Sequence, residues 1–340
     1  MSEEKERGCP ECEGITRREF LKSVGGAAAV LAAGSLPIAG SARPARAATT
    51  GKPETLVKTL YDSLSEAQRK VVAFPWEHQL RQHVDNNWAI VRPSIGEFFT
   101  ADQQAMIRDI FRGLHSEEYF SRVMEHMQED AGGLENYHVA LFGTPGSGKF
   151  EWVLTGRHCT VRCDGDSEEG AAFGGPIFYG HAARSFNEAA DHPGNVYWYQ
   201  ARRANAVFHA LDGKQRERAL LTTEPPPEEA TRTVRLRGAR GERPGLPVAA
   251  MTKDQKKLVR EVMADLLRPY RRADADECMK LIDAAGGLDA ISMAFYRQGD
   301  IGDDGVWDIW RLEGPSMVWY FRGSPHVHTW VHVRRSAPVG

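Results

Sequence analysis

The chain has 340 residues, of which 41% are hydrophobic and 26% charged, with a formal net charge of -3. That length accommodates one large domain or two modest ones, and the composition is that of an ordinary soluble globular protein. The balanced charge argues against general nucleic-acid binding.

The first 47 residues read as a twin-arginine export signal that is cleaved. "TRREFLK" (Thr16 to Lys22) carries paired arginines, and an apolar Gly/Ala-rich stretch runs on to about Gly40. "ARA" (Ala45 to Ala47) then offers small residues at signal-peptidase spacing. A membrane anchor needs roughly 20 apolar residues, and this run is broken by Gly34 and Pro37. The expected partner is therefore the twin-arginine export machinery, with no stable membrane anchor and a periplasmic or secreted destination. Cys9 and Cys12 ("CPEC") precede the signal and would be lost with it. The remaining Cys159, Cys163 and Cys278 do not describe a disulfide scaffold, because the first two sit four apart on one predicted strand.

Two long helices follow from their start signals. "TADQQAMIRDIFRGL" opens with Thr100 and Gln103 at capping-box spacing and places Met106, Ile107, Ile110, Phe111 and Leu114 on one face. "TKDQKKLVREVMADLL" repeats the device with Thr252 and Gln255, and Pro269 marks its end. Three further echoes keep the same order: "LSEAQRK" with "LDGKQRE", "AGGLENYHVALFG" with "AGGLDAISMAFYRQG", and "FEWVLTGRHCTV" with "MVWYFRGSPHVHTWV". The last alignment sets Trp152 against Trp319 and Gly156 against Gly323. "NVYWYQ", "VWDIWRL" and "SMVWYF" read as strands, the last two joined as a hairpin. The expected fold is α+β: two similar tandem halves, each of helices followed by antiparallel strands, packed as one unit. The first half covers 55–199 and the second 200–335, with a flexible Pro-, Gly- and charge-rich insertion at 222–245.

"GTPGSGKF" (Gly143 to Phe150) nearly spells the phosphate-binding G-x-x-x-x-G-K-[ST] loop, but Phe150 replaces the metal-binding hydroxyl. The flanking segments both read as strands, and a phosphate loop must open a helix. The stretch is expected to be a hairpin turn, with no nucleotide bound. "CDGDSEEG" lacks the Gly and Glu of a calcium loop and reads as a solvated turn. His181, after "GGPIFYG", reads as a loop residue, with a pocket-lining role as the alternative because glycines permit close approach.

"PHVHTWVHV" carries the chemistry. On a strand His326, His328, Trp330 and His332 share one face. Residues two apart lie about 6–7 Å apart along a strand, so His326 and His328 can reach one ion, while His332 is too far along. The echo places His158 across from that pair. The expected site is one transition metal ion (zinc, copper or iron) held by His158, His326 and His328. No HExxH or Gly-x-Ser-x-Gly segment is present, so zinc-protease and serine-hydrolase readings lack local support.

"TGRHCTVRCDGDSEEGAAFGGP", "ALDGKQR" and "GSPHVH" together resemble the exported bacterial family catalogued as the thirty-five-hundred domain of unknown function, over roughly Thr55 to Arg334. The resemblance implies a Gly-x-His near the middle, here Gly156-Arg157-His158, and a histidine cluster near the end. It implies export and a shared fold, and no particular activity. The expected function is an exported metal-dependent enzyme, an oxidoreductase or hydrolase acting on a small molecule. The alternative is a non-catalytic exported protein that binds a small ligand and uses its histidines structurally.

Overall fold

The computed structural model describes residues 52–182, 197–239, 241–301 and 304–337, and the statements below concern these residues. The expected export signal, with Cys9 and Cys12, lies outside them.

The first run of helices comprises α1 (Pro53–Ser63), α2 (Glu66–Val72), α3 (Ile95–Phe98), α4 (Ala101–Leu114) and α5 (Glu117–Ala131), with the short strand β1 (Ala73–Phe74) after α2. Four strands follow: β2 (His138–Gly143), β3 (Phe150–Gly156), β4 (Cys159–Cys163) and β5 (Ile177–His181). The second run has α6 (Tyr199–Ala210), α7 (Gly213–Ala219), the short β6 (Leu220–Leu221) and β7 (Leu246–Pro247), α8 (Lys253–Leu267) and α9 (Arg272–Ala284). It closes with β8 (Ser292–Tyr296), β9 (Ile309–Gly314), β10 (Met317–Arg322) and β11 (Val327–Val333).

All strands join one 11-stranded sheet in the order β1-β2-β3-β4-β5-β11-β10-β9-β8-β6, with β7 on β8. β2 to β5 and β8 to β11 are antiparallel runs that meet where β5 pairs antiparallel with β11. At each edge a two-residue strand pairs in parallel, β1 with β2 and β6 with β8. The fold is therefore mixed α+β around one large sheet.

Local sequence explains the helices. Ser65, Thr100, Asp212 and Thr252 each accept the N3 amide, while Gln68, Gln103, Gln215 and Gln255 return the bond. Each such cap contributes about 1 kcal/mol. The capping glutamines also bind each other across helices: Gln68 Nε2 donates to Gln103 Oε1 at 2.8 Å, and Gln255 Nε2 donates to Gln215 Oε1 at 2.8 Å. The predicted face of α4 is buried, and that of α8 is too except for the half-buried Leu258. These faces pack on one side of the sheet with Trp152, Leu154, Trp310 and Leu312. The opposite side buries Phe178, Val318, Tyr320 and Trp330 beneath Val84 and Val234. A sheet covered on both sides lets β11 bury the His328 imidazole on one face and valines on the other.

Residues 144–149 form the expected hairpin turn between β2 and β3, with Gly143 opposite Phe150. Gly143 has φ 73°, and a Cβ there would lie 2.1 Å from the Lys149 carbonyl oxygen. Only glycine fits that turn. Two sequence readings are corrected. The described part of "NVYWYQ" is no strand, since Tyr199 and Gln200 open α6 and Trp198 packs where a Cβ on Gly323 would sit, 2.2 Å away. Aromatic content signalled burial there, and tertiary contacts chose the conformation. The last echo is displaced by one strand: Trp152 lies on β3, the second strand of its run, and Trp319 on β10, the third of its own. By strand order Trp152, Leu154 and Gly156 correspond to Trp310, Leu312 and Gly314 on β9.

Candidate metal centre

His158 occupies the two-residue turn between β3 and β4, where Gly156 pairs with Cys159. Its φ is 55°, the left-handed region, which costs a β-substituted residue of order 1 kcal/mol. The surroundings hold it there. Its amide donates to the Asn86 carbonyl at 2.8 Å, and its carbonyl accepts from the Gly180 amide at 3.2 Å. The Tyr137 hydroxyl donates to the Arg157 carbonyl at 3.0 Å. That tyrosine lies flat against Gly156, where a Cβ would come within 2.3 Å of its ring. Glycine two residues before His158 is thus a packing requirement of the turn.

His328 lies on β11 opposite Gly180 of β5. A side chain at 180 would meet the Val327 carbonyl at 2.3 Å and the His328 ring at 3.4 Å, so the glycine keeps the imidazole's space open. His326 stands one residue before β11. The three histidines converge: one nitrogen from each lies within 4.8 Å of the others. His158 Nε2 and His326 Nε2 are 3.1 Å apart. Ligands at zinc-type bond lengths in a tetrahedral shell stand about 3.3 Å apart.

Two buried carboxylates orient the rings. Asp130, at the end of α5, accepts from His158 Nδ1 at 2.7 Å. Glu228 accepts from His328 Nδ1 at 2.9 Å, from Arg322 Nη1 at 3.2 Å, and from the Trp330 indole. With Nδ1–H of each imidazole tied to a carboxylate, Nε2 of each carries the lone pair that can bind a metal. Burial holds the His158 pKa well below the usual histidine value, with the neighbouring His328 and Arg157 adding to the effect. Burial, then His328 and His158, lowers His326 in the same direction. Neutral imidazole is the form that ligates a metal. Burial also raises Asp130, against the nearby His181, Arg157 and His126 that favour its charge.

The structure thus brings together His158, His326 and His328, the three residues singled out from sequence. His332 is separate, as strand spacing required: its Nδ1 meets the Val234 carbonyl at 3.1 Å. His181 is no loop residue but a buried one on β5, stacked on His126 with ring centroids 3.4 Å apart. Asp130 and Glu228 escaped the sequence reading, and Arg157 entered it only as the middle residue of Gly156-Arg157-His158. Glu228 comes from the 222–245 segment, whose Pro226 carbonyl also accepts from the Tyr320 hydroxyl, so part of that segment lies against the strands of the site.

A small cavity of about 20 Å³ adjoins His158 on the helix side, lined among others by His126, Asp130, Arg157, Tyr197 and Tyr270. A space of that size holds about one water-sized molecule.

These features define an α+β protein with a buried, carboxylate-braced cluster of three histidines that can hold a metal ion. Residues 46–336 match the family described as "Protein of unknown function (DUF3500)". The chain belongs to that family, as its Gly-Arg-His and Pro-His-Val-His segments suggested. No curated protein matches the chain, and no solved structure does.

Proposed function

We propose that this protein is exported and that His158, His326 and His328 hold one transition metal ion, used in oxidoreductase or hydrolase chemistry on a small molecule. One observation carries the reading: buried carboxylates bind Nδ1 of both His158 and His328, and a nitrogen of each ring converges with one of His326 in a buried place. A structural pair of histidines has no need for two buried anions behind it. Three protein ligands leave a coordination position for water, oxygen or substrate, and the ion there would activate bound water or oxygen. Zinc, copper and iron all suit three neutral imidazoles. The test is metal analysis of untagged protein folded in metal-replete medium. Stoichiometric metal in the wild type, lost in His158→Ala, His326→Ala and His328→Ala, is the expected result. A metal-free wild type gives the histidines a structural role and makes the chain a small-ligand-binding protein.

The paired arginines and small-residue cleavage segment support export by the twin-arginine route. Replacing Arg17 and Arg18 by lysine should leave an unprocessed precursor inside the cell, and normal amounts of mature protein outside would refute the route. Among the described residues no helix is long and apolar enough to cross a membrane. We also infer that the two runs of capped helices and four strands descend from a duplicated unit. The mirrored strand order and the paired capping glutamines support this.

A further inference from the structure

The guanidinium groups near the histidine cluster fall into two kinds. Arg322 is committed to the buried Glu228, and Arg162 to Glu151 and three backbone carbonyls. Arg157 is different. Its backbone is fixed by the Tyr137 hydroxyl and by a bridge to Asn87, so its side chain has a defined origin immediately before His158. The side chain is 30% exposed, and its nearest anion is Asp130, with Nε and Oδ1 4.0 Å apart. That separation is too long for a hydrogen bond. Asp130 is already engaged by the His158 ring. Among the described residues no side chain or carbonyl accepts a hydrogen bond from the Arg157 guanidinium. Yet the group lines the cavity beside His158, and its charge acts on both His158 and His326.

A half-buried guanidinium with five N–H donors and no acceptor among the described residues is an incomplete arrangement, because its planar fork is built to bind an oxyanion in two places. We infer that Arg157 is the substrate-recognition cation of this site and that the molecule brought to the histidine centre carries a carboxylate. The inference rests on the proposed metal centre for the position of the reacting atom, and on Arg157 alone for the anchoring charge. A single fork matches the two coplanar oxygens of a carboxylate. Asp130 and Glu228 place two carboxyl groups in the same region, which favours a monoanion over a dianion such as phosphate. The cavity admits only a small group on the helix side, so the bulk of a larger substrate would lie on the exposed side of Arg157.

The experiment titrates acetate, acetamide and inorganic phosphate by ligand-detected NMR into the mature protein carrying whatever metal it retains. Wild type should bind acetate saturably and acetamide not at all. Arg157→Gln should weaken acetate by about tenfold or more, the loss expected for a charge-assisted hydrogen-bonded pair, with unchanged metal content and unfolding midpoint. Arg157→Lys, which keeps the charge without the fork, should fall between them, and it decides the matter if the glutamine variant does not fold. Acetate binding that is absent from the metal-loaded wild type, or unaltered in both variants, overturns the inference and leaves the metal centre standing. Phosphate bound more tightly than acetate overturns the choice of a carboxylate. Arg157-dependent acetate binding by a protein that holds no metal sustains the oxyanion site and removes the metal centre instead.

Discussion

The β3–β4 and β9–β10 hairpins occupy the same place in their respective runs, yet one carries a histidine of the three-histidine cluster and the other does not. Each strand presents Trp, Leu and Gly at the same spacing: Trp152, Leu154 and Gly156 on β3, and Trp310, Leu312 and Gly314 on β9. Both tryptophans are fully buried. Each glycine then pairs across a two-residue turn, Gly156 with Cys159 and Gly314 with Met317. The difference lies in those two turn residues. Arg157-His158 brings a cation and an imidazole, with His158 held at positive φ, whereas Pro315-Ser316 brings neither. The second run supplies its imidazoles from β11 and the residue just before it, two strands later in the chain than β9. Packing and side-chain chemistry are therefore separable here: the apolar pattern builds the hairpin, and the turn decides which polar groups it presents.

The largest expected effect tests the shared packing. Trp152→Ala and Trp310→Ala should each cost about 3–5 kcal/mol by denaturant unfolding, since both empty a fully enclosed site. A large cost at one and a negligible cost at the other would show that the two hairpins do not contribute alike.

A somewhat smaller effect should appear on acidification. His115, just after α4, and His332, on β11, are both held by burial at a pKa of about 4. The unfolded chain titrates these groups near 6.5, so it binds more protons than the folded chain between the two values. Their contribution is complete above about pH 6.5 and is lost as pH falls toward about 4, by up to about 3 kcal/mol for each. Below that both states are protonated and the slope vanishes. His115→Gln should flatten the stability profile in that window relative to wild type, and an unchanged slope would show that His115 does not carry it.

The smallest effects sharpen the contrast between the turns. Asp130→Asn should lower metal affinity about 10–100-fold, because an outer carboxylate sets the orientation and basicity of its imidazole. Ser316→Ala, in the corresponding turn, should leave metal content unchanged and shift stability within about 0.5 kcal/mol. Equal metal loss in both would mean that the turn residues act through folding rather than ligation.

Legibility was uneven along the chain. The capped helices α4 and α8, the 144–149 hairpin turn and the β9–β10 hairpin could be read directly, because capping boxes, turn glycines and side-chain periodicity are local properties. His326 and His328 were visible for the same reason: alternation along a strand places both on one face. Tyr199 and Gln200 were misread because aromatic residues report burial more reliably than conformation. The final echo joins β3, the second strand of its run, to β10, the third of its own, because β9 and β10 both carry tryptophans.

By itself, then, the sequence determined the α+β character, the helix starts and faces, the near-miss phosphate motif as a turn, and the three histidines as candidates. These follow from forces acting within a few residues: hydrogen bonding at helix ends, backbone sterics at glycine, and the twofold periodicity of a strand. Only the tertiary structure decided that β5 and β11 meet at the centre of one sheet, placing His158 3.1 Å from a histidine 168 positions later. Only it brought Asp130 from a helix end and Glu228 from a long connection to the back of two imidazoles, and left the Arg157 guanidinium beside them with no acceptor among the described residues. Such pairings join residues far apart in the chain, and they are set by how whole elements bury their apolar faces, which no short stretch of sequence encodes.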